Sequence, residues 1–236
     1  MATKNRIFAP RGKPVMFCCV SLVLVLCMLL AGCQTGNLAP PTLDSTAPTE
    51  ASLPPATSAD LYCLEVSTYS GPFVEDGSEE EVENVAAIIV ENRSKQFLDR
   101  AMITYVFGDK VAQFELTGLP SGARAVVLEK NRLTLTGKEE YTLINCDSSF
   151  RSDAVTQSDS LKAYSSGNVL KLENTSKETY LNTCVYYKKV NSDGMFLGGI
   201  TYMLSFDTMN PGDVKEKASA HLTDNCQIVR FSYQTE

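Results

Sequence analysis

The chain has no tryptophan and only one histidine, His221, in 236 residues. A Ser-His-Asp or Cys-His arrangement would have to be built on that single imidazole, and its neighbours Ala218, Ser219, Ala220 and Leu222 form no recognisable motif. No Cys-x-x-Cys pair occurs, so the ligand spacing of a zinc site is missing. The paired glycines Gly198-Gly199 lack the following Lys-Ser/Thr of a phosphate loop, and within a strand such a pair marks a bulge. Without indole the chain lacks a favoured stacking surface for sugars, although its ten tyrosines can substitute. No catalytic residue, metal site or cofactor is expected.

Positive charge is also scarce. Four of the 21 basic residues (Lys4, Arg6, Arg11 and Lys13) precede Cys33, and none of the 28 acidic residues does, so the chain from Cys33 onward carries a net charge of −11. Such a surface repels nucleic acid, which is not expected as a partner. The early basic residues open a leader. Residues 18–30 then form an apolar run broken only by Ser21, long enough for a signal-peptide core and short of the ~20 residues that span a bilayer.

The run ends in Leu30-Ala31-Gly32-Cys33, which resembles the bacterial lipobox. Small side chains suit signal cleavage, and a new amino-terminal thiol can carry a diacylglyceryl group through a thioether. Residues 1–32 are therefore expected to be removed and Cys33 to be the lipidation site. This tethers the protein to the cell membrane, facing outside the cytoplasm. Two or three acyl chains suffice for stable attachment. Residues 33–60 follow as the lipidated cysteine and a linker rich in Pro, Thr and Ser. Pro40, Pro41, Pro48, Pro54 and Pro55 favour an extended spacer there.

From residue 61 the apolar pattern has period two, with no helical stripe of useful length. Strands are predicted over 61–68, 85–91, 101–107, 111–116, 123–128 and 141–145. A second set is predicted over 161–164, 169–173, 183–188, 195–206, 214–220 and 227–233. The two sets read as copies. Glu91-Asn92-Arg93-Ser94-Lys95 matches Glu173-Asn174-Thr175-Ser176-Lys177, Pro120-Ser121-Gly122 matches Pro211-Gly212, and Asn145-Cys146 matches Asn225-Cys226. A tandem duplication follows, with sandwiches over 61–150 and 157–236 joined by a polar stretch over 147–159. The Asn-x-Ser-Lys segments are read as turns, in which Asn tolerates left-handed backbone and Ser bonds back to the main chain.

The second set resembles the FxLYD-type domain. An apolar strand leads into Glu173-Asn174-Thr175-Ser176-Lys177, then residues 181–187, the turn Asn191-Ser192-Asp193-Gly194, and Pro211-Gly212-Asp213. Tyr186-Tyr187-Lys188-Lys189 stands where that family carries its naming motif. The resemblance implies an all-β fold of two immunoglobulin-like antiparallel sandwiches, as found in bacterial lipoproteins. It lends no catalytic residue.

Cys18, Cys19 and Cys27 lie in the segment to be removed. Cys63, Cys146, Cys184 and Cys226 remain, an even number in an exported chain, and are expected to form disulfides. Of three connectivities, Cys63–Cys146 and Cys184–Cys226 place one bridge inside each repeat. The stretch from Glu75 to Glu83 holds six carboxylates in nine residues. Its spacing fits no calcium loop, and a solvated acidic loop is the expectation. The expected function is a non-catalytic binding or scaffolding module of the cell envelope, its partner an envelope protein or surface ligand. The alternatives are a small-molecule receptor with a pocket between the repeats and a carboxylate-dependent envelope enzyme.

Overall fold

The computed structural model describes residues 60–236; the expected signal segment, Cys33 and all but the last residue of the expected spacer lie outside the described residues. Twelve strands follow in order: β1 (Leu61–Pro72), β2 (Glu81–Asn92), β3 (Phe97–Phe107), β4 (Lys110–Leu119), β5 (Arg124–Leu128), β6 (Tyr141–Arg151), β7 (Leu161–Ser166), β8 (Val169–Asn174), β9 (Tyr180–Val190), β10 (Phe196–Met209), β11 (Val214–Ala218) and β12 (Cys226–Thr235). Each covers one of the predicted segments in whole or large part. The alternation that located them is visible in β3, where Ala101, Ile103, Tyr105 and Phe107 are buried and the residues between them are half-exposed.

Strand pairing repeats between the halves. In the first, β1-β2-β5 form one layer and β4-β3-β6 the other; in the second, β10-β9-β12 and β11-β8-β7 do the same. Strand for strand, the order of the second half is that of the first. The turn after β2 and the turn after β8 share their hydrogen bonds as well. Asn92 Nδ2 donates to the carbonyls of Gln96 and Leu119, and Asn174 Nδ2 to those of Glu178 and Met209. Ser94 and Ser176 each donate from both backbone and hydroxyl to the preceding Asn Oδ1. Gly122 N–H meets the Asn92 carbonyl just as Gly212 N–H meets that of Asn174. Both asparagines are fully buried, so each side chain substitutes for backbone partners that a turn cannot supply.

One boundary differs from the sequence reading. The polar stretch expected to begin the linker at residue 147 is still strand, and β6 pairs with β3 through Asp147, Ser148 and Ser149 as far as Arg151. Edge position explains this, because β6 has a neighbour on one side only and tolerates polar residues on its exposed face.

The halves are also joined edge to edge. β5 pairs in parallel with β10, Ala125 with Leu197's neighbour Phe196 and Val126 with Leu197, producing one six-stranded sheet β1-β2-β5-β10-β9-β12. The first core contains Leu61, Ile88, Phe97, Ile103, Tyr105 and Phe114 together with Phe196 and Val229 from the second half. The second core, around Leu170, Leu172, Val185, Tyr187 and Phe206, draws its buried members from the second half alone.

Candidate functional site between the halves

The parallel seam is only two residue pairs long because β10 leaves the ladder immediately after it. Between Leu197 and Tyr202, β10 advances five residues while β9 advances two. Gly198-Gly199 open this bulge, as their pairing in sequence suggests. Glycine is required by close approach: a Cβ on Gly199 would lie 1.7 Å from the Glu115 carbonyl oxygen. Gly198 has φ +84°, and a Cβ there would meet Val74.

A bulge strips backbone groups of their ladder partners, and two charged side chains replace them. Glu75 accepts from Gly199 N–H at 2.8 and 2.9 Å and from Leu128 N–H at 2.8 Å, the latter lying at the end of β5 just past the seam. Lys188 Nζ donates to the carbonyls of Gly199 (3.0 Å), Ile200 (2.7 Å) and Thr117 (3.0 Å). The Thr201 hydroxyl donates to the Thr117 carbonyl at 2.8 Å, and the Thr117 hydroxyl donates to that of Gly199 at 3.1 Å. Thr117 is on β4 and Gly199 on β10, so each of the four side chains, Glu75, Thr117, Lys188 and Thr201, makes at least one bond from one half to the other.

Alternation explains how a lysine came to be buried. Tyr187 faces the second core, so Lys188 points to the opposite face of β9, where β4 covers it. It has no exposed surface. Burial pushes its pKa down to about 7, opposed by the charge of Glu75. Burial raises the Glu75 carboxyl, opposed by the N–H groups of Leu128 and Gly199 and by Lys188. A cavity of about 320 Å³ adjoins the cluster, lined by Glu75, Glu115, Thr117, Lys130, Ile200 and Thr201.

The acidic stretch is the loop between β1 and β2, and it is more than a solvated tip. Phe73 and Val74 are buried beside Val85, Ala87 and Leu128. Arg132 pairs with Asp76 at 2.8 Å and with Glu80 at 2.6 Å, while Glu79 pairs with Lys189 of the second half. The Ser78 hydroxyl and backbone, with Arg132, hold Asp76 below the usual carboxylate range. Among the described residues no group of three or more His, Cys, Asp and Glu is placed to hold a metal ion. His221 packs nearby, stacked on Tyr202 with centroids 4.8 Å apart and Tyr202 in turn on Tyr187 at 5.4 Å.

At the other end of the seam lies an open cleft of about 850 Å³. Its walls are Glu91 and Arg124 from the first half and Asp193, Phe196 and Gln227 from the second, with Gln157 of the connecting segment. Glu91 is held by Arg93 at 2.5 Å and by Arg124 at 3.0 Å, which depress its pKa.

The structure places the four cysteines differently in the two halves. No disulfide joins them. Cys63 on β1 and Cys146 on β6 sit on facing layers of the first half, both next to the buried Tyr105 hydroxyl, which burial and these thiols push to a high pKa. The expected Cys184–Cys226 bridge is corrected by register. Cys184 stands opposite Ser232 and Cys226 opposite Lys189 on the same β9/β12 ladder. Some five residues of strand separate them, roughly 17 Å at about 3.4 Å each, well beyond the ~7 Å Cα limit of a disulfide.

Lys188 and Lys189 were not singled out by the sequence as site residues. The available signal was two charges in succession inside Val185-Tyr186-Tyr187-Lys188-Lys189-Val190, a strand otherwise apolar on both faces. No family model matches the chain, and no curated protein matches it.

Proposed function

We propose that this chain is an extracytoplasmic lipoprotein, anchored to the membrane through lipid on Cys33, that binds an envelope protein or surface ligand without catalysing a reaction. The cleft beside the β5–β10 seam is the binding site in this reading. The observation that carries it is the position of that cleft between two halves fastened by paired strands and a buried polar cluster, so that its walls are pre-formed. Glu91, Arg124, Gln157, Asp193 and Gln227 converge there around the apolar Phe196, the mixture by which a binding site fixes orientation. The volume falls within the ~300–1,000 Å³ usual for small ligands, which keeps a small-molecule receptor as the second reading.

An immunoglobulin-like assignment for each half is supported by the strand order. Taking β1, β2, β3, β5 and β6 as A, B, C, E and F gives A-B-E facing C-F, and the second half repeats it. The same order is compatible with the FxLYD-type resemblance. The lipobox-like Leu30-Ala31-Gly32-Cys33 supports the anchor.

Site-directed photo-crosslinking in the native envelope tests the site. A photoreactive residue at Gln157 or Asp193 is expected to capture a specific adduct, whereas one at Lys171, on the layer remote from the seam, captures none. Equal capture at all three positions would refute the cleft. Anchoring is tested separately. Cys33→Ser protein is expected to retain residues 1–32 and to carry no acyl mass, as read by intact mass, and normal cleavage and lipidation of it would refute the anchor.

A further inference from the structure

Three observations at the seam point in one direction. The two halves share only two strand-residue pairs, Ala125 with Phe196 and Val126 with Leu197, so their angle rests on the apolar contact of Phe196 and Val229 with the first core and on the polar cluster rather than on ladder hydrogen bonds. The acidic loop crosses from the first half to the second and is anchored at both ends, by buried Phe73 and Val74 on one side and by the Glu79–Lys189 pair on the other. Between these anchors Glu75 and Lys188 grip the two polar groups of one residue: Gly199 N–H goes to the carboxylate and Gly199 C=O to the ammonium.

We propose that residues 73–80 form a strap that sets the angle between the halves, with Glu75 and Lys188 as its clasp on Gly199. Releasing the clasp removes the polar part of this constraint, so the halves turn about the shared apolar contact at Phe196 and Val229 and the cleft widens. The cluster is suited to this because its parts are coupled. Removing Glu75 orphans buried N–H groups on both halves at once, those of Leu128 and Gly199, and removing Lys188 orphans the Ile200 carbonyl while leaving those of Thr117 and Gly199 only their threonine hydroxyl donors. A purely apolar contact of the same size would weaken gradually. This one has a closed arrangement, in which all these groups are paired, and an open one, in which water satisfies them.

The strap is independent of which ligand the cleft takes, so its test reads geometry rather than binding. Nitroxides carried on genetically encoded keto side chains at the exposed positions Lys95 and Ser192 report the distance between the halves by pulsed electron resonance, leaving the native cysteines untouched. The unmodified strap is expected to give one narrow distribution. Glu75→Ala and Lys188→Met shift it to longer distances, by more than the ~2 Å tolerated at a rigid interface, and broaden it. Gly199→Ala, which keeps both charges but forces the seam against Glu115, gives the same shift. Glu75→Gln preserves the size of the side chain and gives a smaller shift of the same sign, which keeps the test usable if a harsher variant fails to fold. Distributions that stay superimposable on the parent in Glu75→Gln and Gly199→Ala, with circular dichroism unchanged, overturn the proposal.

Discussion

Lys188 illustrates what a single residue reveals and conceals in sequence. Its place on the non-core face of β9 follows from alternation with Val185 and Tyr187, and that much was legible. That β4 would cover this face was not, because the covering strand lies some 70 residues earlier and meets β9 only through the way the halves dock. Removing the ammonium leaves Glu75 buried without its cation and the Ile200 carbonyl without a donor, and breaking a buried pair in this way typically costs about 3–5 kcal/mol. Lys188→Met is therefore expected to unfold at markedly lower urea than the parent. Lys188→Met/Glu75→Gln, which no longer buries an uncompensated charge, recovers part of the loss. The pH dependence has a definite sign. With its folded pKa lowered to about 7, Lys188 binds fewer protons in the folded than in the unfolded chain above that pH. Stability gains a contribution as pH rises from about 7 toward the ordinary lysine value, and that contribution is absent at lower pH. Glu75, raised by burial, acts oppositely in acid: its contribution falls as pH rises through the window between the ordinary carboxylate value and its own. Glu115 and Lys130 beside the cavity and the neighbouring Glu79–Lys189 pair complete the charged surroundings. Urea midpoints from pH 6 to pH 9 are expected to climb in the parent relative to Lys188→Met, and parallel curves would contradict the assignment.

At the scale of elements, period-two alternation located the strands because nearly every one has a half-buried face, the exposed edge strand β11 excepted. Their ends were less legible. β6 runs on through Asp147, Ser148 and Ser149 because strand pairing at an edge does not require apolar residues, which composition alone cannot distinguish from a linker. The duplicated Asn-x-Ser segments form turns, as their composition predicts, but nothing in that composition indicates that their asparagines are fully buried. Each asparagine side chain bonds two carbonyls and receives two donors from the following serine. At a net ~0.5–1.5 kcal/mol for each of the four bonds, Asn92→Ala and Asn174→Ala are each expected to cost about 2–6 kcal/mol. Because the two turns make the same bonds, the two losses should be alike despite their different surroundings. Equilibrium denaturation of both variants checks this, and a loss confined to one turn would show that the duplicated bonds do not do equivalent work. The Cys184–Cys226 expectation failed at this scale too, since cysteine spacing says nothing of how far along a ladder two residues lie.

For the whole molecule, the duplication explains both how the halves join and why the join stops after one round. β11 is the second half's copy of β5, but Lys215 and Glu216 occupy the places of Ala125 and Val126, the residues that make the seam. Charges on an exposed edge discourage further strand addition. The first half has an open core by comparison. Phe196 and Val229 of the second half belong to its buried cluster, and Tyr186 and Val190 pack against it. Nothing equivalent passes the other way, because the second core is completed by residues from Leu161 onward with Val155 of the connecting segment. Cutting the chain between residues 153 and 154 should therefore act unequally. Residues 154–236 retain a whole core and merely return Lys188 to solvent, which relieves its desolvation. Residues 60–153 lose the far wall of their core and the partner of β5, exposing apolar surface worth about 25 cal/mol per Å². The carboxy-terminal piece is expected to unfold cooperatively by itself, and the amino-terminal piece to show little cooperative transition until the other is added. Circular dichroism melts of the two pieces, separate and mixed, decide the matter: an amino-terminal piece as stable as its counterpart would mean that the borrowed side chains contribute little and that the halves are true independent domains.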